Sequence, residues 1–307
     1  MEKMLEGRVA VVTGAGRGIG RGVALLLAAQ GARVVVNDYG VKGDGTEPSS
    51  EPASLVVAEI RAAGGEAVAV ADTVATMAGA ARIVGTAVET FGKIDILVTC
   101  AGFLRDRMIF NMAEEDFDAV LGVHLKGTFA CVRAAVGPMR EAGYGRIITF
   151  TSGAGLFGNP GQSNYGSAKS AIAGFTKVIA RDLGKYGITA NAVSPVAGTR
   201  MTLTDAYLKA REIRKQQGIV REDRGVGDIE HLDPDDVAPM VAFLASDEAA
   251  NVNGQLFLCT GKAYSLLSQP RPVSTIYKPG RWTVDELMAT VPSSLMLGVA
   301  NPAPARD

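Results

Sequence analysis

The chain predicts an α/β fold, a doubly wound parallel sheet with helices on both faces, and three observations carry that expectation. Short β-branched runs alternate with helical stretches along most of the sequence. One strand, glycine turn, helix, strand and acid unit occupies Arg8 to Asp38. A Tyr-x-x-x-Lys pair, Tyr165 and Lys169, opens a helix thirteen residues after Ser152.

Arg8 to Thr13 reads as a buried parallel strand, a β-branched run stopped by glycine. Gly14-Ala15-Gly16-Arg17-Gly18-Ile19-Gly20 follows, then a helical stretch from Arg21 to Gln30 ended by Gly31. A second strand, Arg33 to Asn37, closes on Asp38. In such a unit the glycines let the backbone approach a pyrophosphate, the helix N-terminus binds its charge, and the acid takes the adenosine ribose hydroxyls. That reading assigns Gly14, Arg17, Gly18, Ile19, Gly20 and Asp38 to a dinucleotide. Asp38 favours NAD, because a carboxylate beside a 2′-phosphate of charge about −2 is repelled by several kcal/mol at an effective dielectric of about 20. Arg17 would partly offset that repulsion and supports NADP as the alternative.

From Tyr39 to Pro52 the chain is rich in glycine, serine, proline and aspartate and reads as a surface loop. Ala53 to Ala63 is helical, and Glu66 to Ala71 is a third strand ending at Asp72. Asp72 either meets the adenine amino group or caps the next helix, and Thr73 beside it joins the cofactor set. Ala75 to Phe91 is helical. Asp95 to Thr99 is a fourth strand that runs into Cys100-Ala101-Gly102, three further cofactor candidates. Glu114 to Glu141 is a long helix, and Arg146 to Thr151 a fifth strand with Ser152 at its exit. Carboxyl ends of strands are where ligands bind in such sheets.

Gly153 to Ser163 reads as a glycine-rich loop before the Tyr165 helix. In that helix Ala168, Ala171, Ile172, Phe175, Val178, Ile179 and Leu183 form an apolar stripe for a core or a subunit interface. Ile188 to Ser194 is a sixth strand stopped by Pro195, Asp235 to Ala245 a helix, and Gln255 to Cys259 a last strand. The predicted organisation is one domain over 5–261 with a polar insertion at about 199–233 and a proline-rich, irregular extension over 262–307. The insertion reads as helical from Leu203 to Gln217. It carries Lys209, Arg211, Arg214, Lys215, Arg221 and Arg224, which either grip a phosphorylated substrate handle such as coenzyme A or form a solvated face.

Side chains four apart stack on one helix face, so Tyr165 and Lys169 can share one site. Bringing a phenol from its reference pKa of about 10 to near 7 requires about 4 kcal/mol. A cation held ~4 Å away at an effective dielectric of about 20 supplies roughly that amount. One lysine is therefore expected to make Tyr165 a general acid/base, with Ser152 donating a hydrogen bond to the oxygen that Tyr165 serves.

The apolar content of 47% over 307 residues is ample for a core, and a formal net charge of −1 provides no field to recruit nucleic acid or an anionic membrane. Three cysteines without a C-x-x-C, and two histidines, argue against a metal site or a disulfide framework and for a reducing compartment. Met1 to Glu6 lacks a hydrophobic signal segment. The longest apolar run, Val23 to Ala29, is too short for a bilayer, and Pro304-Ala305-Arg306-Asp307 is not a peroxisomal address. A soluble cytoplasmic protein is the expectation.

On Thr13 to Gly20, Ser152, Tyr165 and Lys169, the sequence from about Leu5 to Gly261 resembles the short-chain dehydrogenase/reductase family. Val36-Asn37-Asp38, Leu104-Arg105-Asp106-Arg107, Val123-His124-Leu125-Lys126-Gly127, Gly158-Asn159, Gly161-Gln162 and Ala197 to Thr202 look, within that family, like the D-3-hydroxyacyl-CoA dehydrogenase part of the peroxisomal multifunctional enzyme and its bacterial relatives. The resemblance implies a Rossmann fold, NAD, hydride transfer at a secondary alcohol, and a homodimer or homotetramer built on the long helices after strands four and five. It implies Tyr165 as proton donor or acceptor, Lys169 lowering the Tyr165 pKa and holding the nicotinamide ribose, and Ser152 positioning the carbonyl oxygen. The peptide from Pro195 through Ala197 and Thr199 to Thr202 would hold the nicotinamide amide.

Two positions depart from the family pattern. The usual Asn-Asn-Ala-Gly is here Thr99-Cys100-Ala101-Gly102, and Cys100 reads as a small buried hydrophobe rather than a redox group. The helix position often held by Asn is His124, where the family uses the backbone carbonyl to anchor a water; an independent general base is the second reading. The implied activity is NAD-dependent oxidation of a 3-hydroxyacyl-CoA or another bulky secondary alcohol such as a steroid. An NADP-dependent carbonyl or 3-oxoacyl reductase and a non-catalytic NAD-binding module are the alternatives.

Overall fold

Every residue of β1 (Val9–Thr13) is buried, which a strand achieves only with a layer packed on each of its faces. The computed structural model describes residues 3–41, 46–199, 203, 232–261 and 263–302. In chain order its elements are β1, α1 (Gly18–Ala29), β2 (Arg33–Asn37), α2 (Glu51–Ala62), β3 (Ala67–Val70), α3 (Met77–Phe91) and β4 (Ile96–Thr99). Then come α4 (Glu114–Leu121), α5 (Gly127–Ala142), β5 (Gly145–Phe150), α6 (Gly153–Phe157), α7 (Ser163–Leu183) and β6 (Ile188–Pro195). The series ends with α8 (Ala238–Ala245), β7 (Leu256–Cys259), β8 (Tyr264–Leu266) and α9 (Val284–Thr290).

The sheet order is β3-β2-β1-β4-β5-β6-β7-β8. All pairings are parallel except β7 with β8. Alternation along the strands divides the core. Ala10, Val12, Val34, Val36 and Val98 pack with Leu27 of α1, Ile60 of α2 and Val241 of α8. Val9, Val11, Val35 and Leu97 face the other way, against Ile83 of α3, Ala135 of α5 and Ile179 of α7. A period of two on a sheet covered on both sides makes every strand position apolar. Chain order reverses between β1 and β4, so a crevice opens at the carboxyl ends of those two strands.

The expected alternation and parallel sheet are therefore present, and four local features differ. The long helix expected over Glu114 to Glu141 is interrupted: a π-helical turn, Gly122–Lys126, joins α4 to α5. Such turns insert where a side chain must be re-aimed, and this one carries His124. By length and composition alone Glu114–Ala142 is apolar enough to cross a membrane, yet Ala130, Cys131, Ala135 and Met139 of this run lie in the core. The loop expected from Gly153 contains α6, because Ser152 caps it by accepting from the Ala154 N–H at 3.2 Å. On α7 the expected stripe is divided. Ala168, Ile172, Ile179 and Leu183 are buried, whereas Val178 is exposed near an edge-to-face pair of Phe129 and Phe175 with ring centroids 6.3 Å apart.

The fourth difference is at the C-terminal end. The first compact unit runs to Leu267 and the second spans Ser268–Asp307, so β8 joins the sheet beyond the expected boundary at 261. The second unit is not wholly irregular. Thr283 accepts from the Glu286 N–H while the Glu286 carboxylate accepts from the Thr283 N–H, a capping box that starts α9. Thr202 and Lys262 lie outside the described residues, as do the expected helix beyond Leu203 and the basic residues Lys209, Arg211, Arg214, Lys215, Arg221 and Arg224.

Candidate active site

A cavity of about 390 Å³ lies above the carboxyl ends of the strands where chain order reverses. At one end the turn after β1 is held by backbone contacts. Ala15 donates its N–H to the Asn37 carbonyl at 2.9 Å, and Gly16 donates its N–H to Asp38 Oδ2 at 2.8 Å. Gly40 supplies a second N–H to Asp38 Oδ1 at 2.6 Å, so the acid is fixed facing the turn. A Cβ at Gly20 would stand 2.2 Å from the Gly14 carbonyl oxygen, and only glycine permits this approach. Arg17 precedes α1 without providing a side-chain cap, which leaves the first-turn N–H groups of α1 directed at the cavity. Gly14, Arg17, Gly18, Ile19, Gly20 and Asp38 all line it. A bare helix N-terminus beside a fixed carboxylate fits the pyrophosphate and ribose of a dinucleotide.

Asp72 and Thr73 also line the cavity, but neither expected role of Asp72 is its main contact. Thr76 caps α3, accepting from the Gly79 N–H at 3.0 Å. Asp72 instead pairs with Arg82 and accepts from the Thr73 N–H, and the Arg82 hydrogen bond holds its carboxyl below the usual range. Asn37 bridges β2 to the Asp72 loop by donating to the Val70 and Asp72 carbonyls.

The other end brings together Ser152, Tyr165, Lys169 and His124, with Cys100, Ala101, Gly102, Pro195, Ala197 and Thr199 on the surrounding wall. Ser152 is fixed at the exit of β5 as the cap of α6, and its hydroxyl hydrogen-bonds the Tyr165 phenol. Lys169 is buried and donates from Nζ to the Phe150 carbonyl at 2.7 Å, while Thr151 Oγ1 donates to the Lys169 carbonyl at 2.7 Å. Burial lowers the ammonium to about 8, which leaves it mostly charged at neutral pH.

The expected simple electrostatics of the pair need correction. With Nζ aimed at Phe150 and 5.6 Å from the Tyr165 ring centroid, burial of the phenol dominates and pushes Tyr165 up to about 12. The Ser152 hydrogen bond pulls it down and the Asp106 carboxylate pushes it further up. Desolvation of the phenolate dominates over a lysine whose ammonium is held toward Phe150, 5.6 Å from the ring centroid. Cys100 is likewise pushed up to about 11 by burial and stays a neutral thiol.

His124 is buried, and burial, with Lys169 nearby, lowers it to about 3. A neutral imidazole at every working pH does not fit the reading of an independent general base with a pKa near neutrality.

Sequence reading passed over Asn164. It is fully buried, accepts from the Tyr165 N–H at 2.7 Å, and donates from Nδ2 to the Arg105 and Asp116 carbonyls at 2.9 and 3.1 Å. It therefore ties the segment after β4 to the first turn of α7, one residue from the phenol. An Asn in a helix's first turn is a recognisable local hydrogen-bonding signal. Arg107 and Gln162 reinforce the tie: the Arg107 N–H donates to the Gly161 carbonyl at 2.8 Å, and Gln162 Nε2 donates to Asp106 Oδ2 at 2.9 Å. Tyr39, Val74, Phe103 and Val123 also line the cavity and carry no sequence signal of their own.

Fold and site together define a nicotinamide-dependent oxidoreductase, and the chain belongs to the short-chain dehydrogenase/reductase family, whose model (short chain dehydrogenase) matches residues 8–206. It is thereby a dehydrogenase/reductase acting on CH–OH groups. Its relatives include the hydroxyacyl-CoA dehydrogenase ChsB1 of Mycobacterium tuberculosis, 41% identical over 300 residues, which covers 94% of this chain and 88% of the relative. The mouse peroxisomal multifunctional enzyme type 2 is 42% identical over 252 residues, 82% of this chain but 31% of that longer protein. A 3-oxoacyl-[acyl-carrier-protein] reductase of Synechocystis is 42% identical over 258 residues, covering 84% of this chain and 97% of the reductase. The crystal structure of a short chain dehydrogenase from Mycobacterium avium matches with 45% identity and a TM-score of 0.81, over 98% of each chain.

Proposed function

We propose that this protein oxidises a 3-hydroxyacyl-CoA, or a related bulky secondary alcohol such as a steroid, to the ketone with NAD. The observation that carries this reading is the convergence of Ser152, Tyr165 and Lys169 on the wall of a cleft whose far end is closed by Asp38. NAD held along Gly14, Gly18, Gly20, Asp38 and Lys169 would supply the hydride acceptor; the chain's own residues bind, orient and move the proton. Tyr165 takes the hydroxyl proton, Ser152 hydrogen-bonds the same substrate oxygen, and Lys169 places a positive charge behind the phenol and holds the nicotinamide ribose. Pro195, Ala197 and Thr199 form the wall for the carboxamide. The resemblance to a hydroxyacyl-CoA dehydrogenase over nearly the whole chain supports the acyl-CoA choice.

The cofactor preference rests on Asp38. Its two oxygens face the Gly16 and Gly40 amides, so it cannot swing away from a 2′-phosphate without breaking both bonds. Asp38→Ala is expected to raise NADP use relative to NAD by about tenfold or more, the equivalent of ~1.4 kcal/mol. Steady-state kcat/KM with each cofactor measures this, and an unchanged ratio contradicts the NAD assignment. Arg17, also at the cavity, is the specific feature behind the alternative reading, an NADP-dependent 3-oxoacyl or carbonyl reductase.

The pH dependence follows from the raised phenol at about 12. Oxidation needs Tyr165 deprotonated, so kcat/KM for the alcohol rises with pH through the neutral and alkaline range. Reduction needs it protonated and falls only as pH passes its pKa. Asp106 is one of the groups that raise Tyr165, so Asp106→Asn moves the alkaline rise of alcohol oxidation to lower pH. A profile unmoved by that substitution, or one moved to higher pH, contradicts the assignment. A homodimer or homotetramer belongs to the same proposal, with exposed Phe129 and Val178 at the contact between copies.

A further inference from the structure

His124 has no part in the proton path just described, yet it is buried and held in the wall of the cleft. It sits on the π-helical turn between α4 and α5 and is 2% exposed. Its Nε2 accepts from the Phe103 N–H at 3.2 Å and lies 2.8 Å from the Phe103 carbonyl oxygen. A neutral imidazole carries one ring proton. On Nδ1, that proton leaves Nε2 to accept from the Phe103 N–H; on Nε2, it donates to the Phe103 carbonyl instead. In either tautomer Nε2 is engaged with the Phe103 backbone, and Nδ1 is buried without a hydrogen-bond partner among the described residues.

Two neighbours show what the ring is placed for. A Cβ at Gly102 would lie 2.0 Å from His124 Cε1, so the imidazole fills the space a side chain there would take. Its other side meets the Tyr165 ring edge-on, with centroids 5.1 Å apart and planes at 81°. Such edge contacts have a preferred geometry and contribute about 0.5–1.5 kcal/mol. The charged or titratable groups shown near it are Lys169 and Tyr165, both on α7, and the ring stays neutral beside them. An unpartnered ring nitrogen of this burial costs free energy that a hydrogen-bond partner arriving there would recover.

We propose that His124 is a positioning residue for Tyr165: a fixed neutral imidazole whose ring edge sets the phenol's orientation and excludes bulk water from it, with Nδ1 hydrogen-bonded to a water enclosed in the cleft. This rests on Tyr165 as the proton acceptor. His124→Asn removes the ring and opens the phenol to solvent. His124→Phe keeps an aromatic edge and removes both nitrogens.

The test measures kcat, KM for NAD and the phenol titration, the last by ultraviolet difference absorbance against Tyr165→Phe. His124→Asn is expected to lower kcat about tenfold or more with KM for NAD changed less than about threefold, and to move the Tyr165 titration to lower pH. His124→Phe is expected to hold the titration near its wild-type position while kcat falls by less than in His124→Asn. Wild-type kcat and an unmoved titration in His124→Asn overturn the inference, as does a loss confined to KM. If His124→Asn does not fold, His124→Phe carries the test: a titration lowered in that variant, despite its retained ring edge, overturns the inference. Tyr165→Phe measured alongside separates the two ideas. Turnover retained there removes the acid/base reading itself, whereas an inactive Tyr165→Phe beside fully active His124 variants removes only the role given to His124.

Discussion

Tyr165→Phe is expected to fold, to bind NAD with an affinity within a few fold of wild type, and to lose turnover by about 10²–10⁴. The phenyl ring preserves the edge contact with His124 and the packing of α7, because only the hydroxyl departs. What departs with it is the sole titratable oxygen shown bonded to Ser152 at this end of the cleft. Cofactor affinity is expected to fall little because Gly14 to Gly20 and Asp38, which would hold the pyrophosphate end, line the other end of the cavity. Stopped-flow absorbance of the reduced nicotinamide with saturating alcohol checks the rate, and fluorescence titration checks binding. Undiminished turnover contradicts the mechanism outright.

The second large effect is structural in origin. Gly20→Val is expected to weaken NAD binding by more than about tenfold and to lower the melting temperature. The new Cβ would be 2.2 Å from the Gly14 carbonyl oxygen, and the obstacle is backbone, so the turn or the helix has to move. Overpacking of this kind costs about 1–3 kcal/mol or more. The movement would displace the first-turn amides of α1 that the proposal sets against the pyrophosphate. Gly85→Ala in α3 is the control: its Cβ meets only Glu89 Oε1 at 3.7 Å, and helix propensity favours alanine by about 1 kcal/mol. Calorimetry on the two variants, with and without NAD, separates the cradle from a general glycine effect. Equal NAD binding in Gly20→Val and wild type contradicts the placement of the pyrophosphate.

What the sequence made legible follows from period and spacing. A sheet covered on both faces leaves continuous apolar strands, so β1, β2 and β4 were readable as aliphatic runs, whereas their order in the sheet rests on long-range pairing that no local pattern encodes. The glycine turn and Asp38 were readable because close backbone approach restricts the residue type. The Tyr165–Lys169 spacing placed both side chains in one site, as found. Spacing gave no access to the direction of the Lys169 ammonium, which the Phe150 carbonyl takes, and so misjudged the balance of charge and burial at the phenol. Nor did the reading of Glu114 to Glu141 as one helix reveal the π-helical turn Gly122–Lys126, since neither a proline nor a polar break marks it in the sequence. Asn164 was missed for a different reason: its partners, the Arg105 and Asp116 carbonyls, are backbone groups with no sequence mark. Thr283-Val284-Asp285-Glu286, by contrast, is a capping box that composition hid behind the prolines around it.

The central claim is NAD-dependent oxidation of a 3-hydroxyacyl-CoA, and the most direct measurement is absorbance of the reduced nicotinamide with purified protein. NAD and NADP are each supplied with a panel of 3-hydroxyacyl-CoAs, free hydroxysteroids and simple secondary alcohols. The account predicts turnover with NAD, fastest with a 3-hydroxyacyl-CoA. NAD binding without turnover on any member of the panel, or turnover with NADP alone, would contradict it.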